Sequence, residues 1–461
     1  MGVAGYLKRK IKIRFDHISN QRIKNNLLQA VPFWIASLIT GLVAVGYTRL
    51  FALAEKGTGF LLSQHLWWLF IIAPVSFFLA WWVVDRFSPY AKGSGIPQVM
   101  ASIELATPKY TSKVDKLLNL RVVVIKILSS LLMVFGGGAI GREGPTIQIA
   151  GSIFRTVHKW LPAWWPKISK KNMIMTGAAA GLAAAFNTPL GGIVFAVEEL
   201  TKTHINYFKT AIFTAVIIAG LTAQALLGPY LYLGYPDVSH LSKYIFLPLI
   251  LVAVVSGFTG SLMAKCMMGI LNWKKNFSKR WHHILYLLVC AFIVALLAYF
   301  VNISVTGSGK LLMTKVLFTD QKYSSVSTML MRIVGPLLSF TTGAAGGVFA
   351  PSLSAGAGIG SMLSGWLHES SGNTDLLILA SMVAFLTGVT RSPFTSAILV
   401  LEMTDRHNVI FHLMLAGMTA SLIATVIDNH SLYDRLKVGY IHDIHHEDID
   451  EKPPANGDDK P

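Results

Sequence analysis

Gly141-Arg142-Glu143-Gly144-Pro145 sets a carboxylate into sequence that is otherwise almost wholly apolar. Val122 to Ile140 precedes it, nearly all aliphatic residues and Gly, and Thr146-Ile147-Gln148-Ile149-Ala150-Gly151 follows. A charged side chain at membrane depth costs about 2.5–3.5 kcal/mol on insertion scales, so such residues are rare and usually functional. Gly and Pro beside it interrupt regular helix and leave backbone N–H groups that can hold an anion at a helix start. One segment therefore offers an anion site and a titratable acid, the chemistry of anion movement linked to protons. Ionised, the acid mimics an anion; neutralised, which low dielectric favours, it would swing out. A plain ion pair between Glu143 and Arg142 is the structural alternative.

Further donors fit the same chemistry. In Lys92-Gly93-Ser94-Gly95-Ile96-Pro97 two glycines let backbone approach a ligand, the Ser94 hydroxyl can donate, and Pro97 suits a first helical turn. A dehydrated anion wants a few N–H and O–H donors plus the positive end of a helix dipole, about half a charge. An ordinary helix N-cap has the same sequence. Gly346-Gly347-Val348-Phe349-Ala350-Pro351 offers equivalent N–H groups at Val348 or Phe349. Glu198 and Glu199 end the apolar run Ile193–Val197, and only one of two adjacent helical residues can face a given surface. One would be a proton-entry acid, unless both belong to a solvated helix end with Lys202 nearby. Glu402 occupies the corresponding place further on and reads as structural. Tyr433, after the last apolar run, has a phenol that could donate to an anion, although Tyr is common at membrane interfaces.

The motifs recur in order. Gly93-Ser94-Gly95 returns as Gly307-Ser308-Gly309, Gly141–Pro145 as Gly347–Pro351, and Asn187-Thr188-Pro189 as Arg391-Ser392-Pro393, at offsets of 214, 206 and 204 residues. Three matches in register predict a duplicated architecture, and paired Gly/Pro-interrupted segments in two halves point to a transporter site at mid-membrane. The expected division is a basic segment 1–28, membrane repeats 29–228 and 244–430 joined by a loop 229–243, and the pathway end with an acidic tail in 431–461.

Composition sets the class: 461 residues, 53% hydrophobic and only 14% charged, predict an all-α polytopic membrane protein. Runs such as Pro32–Leu53, Leu66–Val84, Tyr244–Ala264 and Ile284–Val301 can each cross about 30 Å of hydrocarbon. The net charge of +17 lies in short basic loops, at Lys167, Lys170 and Lys171 and at Lys274, Lys275, Lys279 and Arg280, which read as positive-inside signals rather than a nucleic-acid surface. Lys8, Arg9, Lys10, Lys12, Arg14, Arg22 and Lys24 should hold the N-terminus in the cytoplasm, as a topology signal or a surface helix. Cys266 and Cys290 read as core-filling, supporting neither disulfide nor zinc site. The segment from Tyr440, with Asp443, Glu447, Asp448, Asp450 and Glu451, reads as a mobile tail without a regulatory domain, and His442, His445 and His446 as solvated charge rather than metal ligands. Soluble-enzyme signatures fail: Gly307-Ser308-Gly309-Lys310 lacks the Ser/Thr and upstream Gly of a phosphate loop.

Taken together, Gly93–Pro97, Gly141–Pro145, Gly347–Pro351 and Tyr433 resemble the CLC chloride channel and transporter family over about residues 30–436. The resemblance implies two antiparallel, inverted repeats of tilted, broken helices and a homodimer in which each subunit has its own anion path. It implies that Ser94, Tyr433 and the N–H groups of Val348 and Phe349 hold chloride, that Glu143 gates and carries the external proton, and that Glu199 transfers the internal proton. Family channels usually carry an uncharged residue at that internal position, so Glu199 favours chloride/proton antiport over a passive channel. Ser94 rather than Pro favours chloride over nitrate, and the intact motifs argue against the fluoride-exporting branch. Gln98 departs from relatives with an acid there. Bound chloride, no other cofactor, membrane lipid as surroundings and a bacterial inner membrane with both termini cytoplasmic complete the expectation. A transporter of small organic anions is the remaining alternative, disfavoured because no Arg/Lys clamp for carboxylates is evident.

Overall fold

The structure, a computed structural model, describes residues 21–107, 110–200, 209–228, 231–239 and 241–450, apart from the side chains of residues 21–26, 209 and 446–450. Its elements are helices, and none of the described residues forms a named strand. In chain order they are α1 (Gln21–Gln64), α2 (Leu69–Phe87), α3 (Ile96–Glu104), α4 (Thr111–Leu117), α5 (Leu120–Phe135), α6 (Glu143–Trp160), α7 (Lys170–Phe186), α8 (Pro189–Phe195) and α9 (Lys209–Leu227). The second half holds α10 (Phe246–Lys274), α11 (Arg280–Phe300), α12 (Lys310–Phe318), α13 (Val326–Phe340), α14 (Phe349–Trp366), α15 (Ser371–Thr390), α16 (Pro393–Thr404), α17 (Ile410–Ile427) and α18 (Leu432–Asp450). Among the described residues, eight helical segments are long and apolar enough to cross a membrane, so the chain is a multi-pass membrane protein. Their outward faces carry Leu, Ile, Phe and Trp, as lipid contact requires.

Five helices of the first half have counterparts in the second. Helices α3 and α12, α5 and α13, α6 and α14, α7 and α15, and α8 and α16 start at nearly the offsets seen in the motifs. Small residues bring backbones together around the centre. In α7, a Cβ on Gly181 would lie 2.6 Å from the Ala150 Cβ of α6, and a Cβ on Gly177 would lie 2.8 Å from the Phe154 ring. Such close approach is how membrane helices pack where lipid offers no hydrophobic driving force. Asn187 and Arg391, at equivalent places, close α7 and α15 in the left-handed region with φ of 58° and 65°.

Two contacts reveal the relation between the halves. Gly141 N–H donates to Gly347 O and Gly347 N–H to Gly141 O, both at 2.8 Å. Glu198 accepts from Phe394 N at 3.2 Å and Thr395 N at 2.6 Å, while Glu402 accepts from Leu190 N at 3.0 Å and Gly191 N at 2.6 Å. In both places a residue meets its own repeat counterpart's partner reciprocally, which a two-fold axis between the halves requires.

Three sequence expectations are corrected. The chain from Tyr440 is not a mobile tail up to residue 450: α18 runs to Asp450 with Tyr440 and Ile444 buried, and residues 451–461 lie outside the described residues. Cys266 is exposed on α10 rather than core-filling, whereas Cys290 is buried. Glu198 is no solvated helix end, since it caps α16. Lys8, Arg9, Lys10, Lys12, Arg14 and Lys202 lie outside the described residues, while Arg22 and Lys24 fall in the first turns of α1.

Candidate functional site

The Ser94 loop is built by positive-φ glycines. Gly93 and Gly95 have φ of 65° and 106°, conformations that side-chain-bearing residues rarely adopt, and Gly307 and Gly309 repeat them at 69° and 89°. Gly95 caps α3, with Pro97 in its first turn as the sequence suggests. The carbonyls of this loop are drawn to its back. Lys126 Nζ, fully buried on α5, donates to Ala91 O at 2.9 Å and Gly93 O at 2.8 Å. Gln98 Nε2 donates to Lys92 O at 2.6 Å and to the Tyr440 hydroxyl at 3.0 Å, tying α18 to the loop. With its carbonyls held behind, the loop presents donors in front.

Ser94 is 1% exposed and Tyr433 is fully buried. Their hydroxyls face each other, yet neither makes a well-formed hydrogen bond to protein. Buried hydroxyls are normally partnered, so this pair retains donors with which a ligand could be held. The Tyr433 ring stacks on Phe349 at 6.1 Å and 9°, which aims the phenol at the start of α14. Val348 caps that helix and Phe349 opens it, so their N–H groups have no preceding turn to bond.

Glu143 lies against this site from the other side. It is 1% exposed at the start of α6, and its carboxylate reaches its own N–H and that of Ala350. An acid thus sits at the N-termini of α6 and α14 together, with Arg142 nearby contributing favourable charge. Glu143 Oε2 has no hydrogen-bond partner. A Cβ on Gly141 would displace that oxygen, so the glycine leaves the carboxylate its space.

Two cavities approach from opposite sides. One of about 260 Å³ is lined by Glu143 with Arg49, Glu55, Arg142, Ser308 and Lys310. The other, about 490 Å³, reaches Ser94 and is lined by Lys92, Lys274, Lys275, Arg435 and Asp443 among others. Residues 143 and 94 are therefore the two faces of one constriction.

Glu199 sits apart, in a single π-helical turn over Ala196–Leu200, and accepts a hydrogen bond from Ser392 Oγ. π-Turns are frequently found at functional sites, and nothing in the residue pattern announces this one. Tyr433 feels the charge of both Glu199 and Glu143. The six sequence-selected residues are thus placed as follows: Ser94, Tyr433, Val348, Phe349 and Glu143 converge, and Glu199 is held separately by Ser392. Sequence reasoning missed Lys126 and its counterpart Arg332, which donates to Thr306 O at 2.9 Å and Gly307 O at 2.8 Å. Each is a lone cation in an apolar run, the signal that singled out Glu143. His445 contacts Lys113 Nζ at 3.0 Å, and no group of three or more metal-ligating side chains occurs among the described residues.

A sequence model of the family described as "Voltage gated chloride channel" matches residues 76–425. The chain belongs to this family, the CLC family. It is 27% identical over 424 residues to the H(+)/Cl(-) exchange transporter ClcA of Cronobacter sakazakii, covering 87% of each chain. To the H(+)/Cl(-) exchange transporter ClcA of Vibrio cholerae it is 28% identical over 430 residues, again covering 87% of each. Among solved structures, a slow cyanobacterial Cl-/H+ antiporter aligns with a TM-score of 0.78 at 24% identity, over 90% of this chain and 98% of that one. A CLC-type fluoride/proton antiporter aligns with a TM-score of 0.74 at 19% identity, over 89% and 98%. The all-α architecture of two inverted repeats expected from the sequence is therefore the CLC fold.

Proposed function

We propose that this protein is a secondary active chloride/proton antiporter. The carrying observation is Glu143: a titratable carboxylate occupies the helix N-termini beside the Ser94 and Tyr433 hydroxyls, where an anion would sit. Ionised, Glu143 competes with chloride for N–H donors and separates the two cavities. Protonated, it is a poor ligand for them, swings into its own cavity, and chloride advances. Ser94, Tyr433 and the N–H groups of Val348 and Phe349 hold the central chloride by hydrogen bonds without a full opposite charge, so binding stays reversible. Glu199 delivers the proton from the other side along a path separate from chloride. Since reciprocal caps occupy Glu198, Glu199 is the acid of the pair left for that role.

The Ser94 cavity faces the cytoplasm in this reading. Its rim is rich in Lys and Arg, as positive-inside orientation favours. Helix α1 follows the basic N-terminus and reaches the opposite, external cavity with Glu55 in its last third, and α18 returns to the Ser94 side. Both termini are then cytoplasmic, in a bacterial inner membrane, with two subunits forming a homodimer of independent pathways. The chain is a transporter without covalent catalysis, and needs no cofactor beyond the chloride it carries. The relatives named exchange transporters support this reading.

The test is purified protein in liposomes, with chloride and pH electrodes. A chloride gradient should drive protons uphill in wild type, and Glu143→Gln should pass chloride without protons. Chloride flux with no uphill proton movement in wild type would replace the antiporter with a passive channel.

A further inference from the structure

The two-fold relation between the halves makes a second site visible. In the first half, Lys126 draws back the carbonyls of the Gly93-Ser94-Gly95 loop and Ser94 faces the anion path. In the second half, Arg332 draws back Thr306 O and Gly307 O of the Gly307-Ser308-Gly309 loop in the same way. What the Ser308 loop faces is already an anion: the Glu55 carboxylate of α1 accepts from Ser308 N–H at 3.0 Å. This occurs at the external cavity, whose lining sets the cations Arg49, Arg142 and Lys310 against Glu55 and Glu143. The cation excess favours a further anion there. Glu143, 1% exposed, lines the same space with Oε2 lacking a hydrogen-bond partner.

We propose that the Ser308 loop is a second anion subsite, at the external cavity, with the Glu55 carboxylate as its resident occupant and a halide as its alternative one. Glu55 stands to Ser308 as Glu143 stands to the start of α14: a tethered carboxylate holding a place that the transported ion can take. Chloride leaving past Glu143 meets a position prepared for it before reaching bulk water, and Glu55 sets how strongly it is held there. This rests on the chloride reading above.

The test uses the full chain, Glu55→Ala, and bromide as a chloride substitute located by anomalous diffraction. The expected result is bromide within hydrogen-bonding distance of Ser308 N in the variant. In liposomes, the external chloride needed for half-maximal flux should fall about two- to fivefold, the range for one charge at a helix N-terminus. A variant map with bromide at Ser94 and none at Ser308, or an unchanged half-saturation, would overturn the proposal and leave Glu55 as a helix cap. Should Glu55→Ala not fold, Glu55→Ser vacates the same space and serves equally. The bromide map does not depend on proton coupling, so a wild type that moves no protons uphill would remove the antiporter reading and leave this subsite standing.

Discussion

Gly144→Ala tests whether the Ser94 hydroxyl holds chloride, through a residue that itself offers chloride no side chain. A Cβ at position 144 would collide with Ser94 Oγ and approach Ser94 O to 3.0 Å. Gly144 lies in the first turn of α6 without positive φ, so its backbone accepts alanine, and helix propensity alone would favour the change by about 0.5–1 kcal/mol. Ser94 cannot retreat easily, because its loop carbonyls are fixed by Lys126 and Gln98. The hydroxyl must therefore rotate or shift off the anion path. A hydrogen bond to a charged group contributes about 1.5–3 kcal/mol, which corresponds to a loss of about 10- to 150-fold in chloride affinity. Isothermal titration of chloride into detergent-solubilised protein measures this, and a thermal melt checks folding. On a Ser94→Ala background the same substitution should cost much less, since the colliding atom is gone and the two sites couple. Chloride affinity within twofold of wild type in the single variant would refute the assignment of Ser94 to the ion.

Other perturbations follow from the same geometry. Glu198→Ala and Glu402→Ala should each destabilise the fold by about 0.5–2 kcal/mol, the range for losing a cap, with Glu198→Ala costing more because Glu198 also accepts from Thr395 Oγ1 at 2.7 Å where Gly191 offers Glu402 no hydroxyl; melting curves showing only one to matter would contradict the shared capping role. Glu199→Gln should abolish proton transport while chloride flux persists, read by paired electrodes; persisting proton flux would reassign the internal acid. Lys126→Met, which leaves the carbonyls of Ala91 and Gly93 without their buried donor, should lower chloride affinity and melting temperature together, and loss of neither would show the loop to be self-supporting.

Much of the architecture was legible because duplication and Gly/Pro breaks leave marks in composition. The offsets of the three motif pairs locate the starts of α3 and α12, α6 and α14, and α8 and α16 directly. Other features were hidden for identifiable reasons. In α18 the buried residues Leu432, Tyr433, Tyr440 and Ile444, with half-buried Leu436, follow helical spacing, but the acidic residues of the same segment dominate the composition and mimic a loose tail. Glu55 follows an apolar run, where an acid draws no attention, and its meaning depends on Ser308, 253 residues away. The division of labour between Glu198 and Glu199 turns on a π-turn that adjacent identical residues cannot announce. Lys126 and Arg332 were visible in principle, being lone cations at matching positions of apolar helices.

The reciprocal bridge between Gly141 and Gly347 has a mechanical consequence. Because each glycine binds its own counterpart, the seam between the halves is isologous, like the contact between identical subunits of a dimer. Glu143 begins two residues beyond one end of that seam and Phe349 two residues beyond the other. In the proposed mechanism, the start of α6 from which the carboxylate would swing and the start of α14 whose N–H groups would hold chloride are thus tied to each other by paired main-chain bonds. A shift of one helix start that kept both bonds would carry the other with it, so the proposed movements of acid and ion would be coupled through main chain.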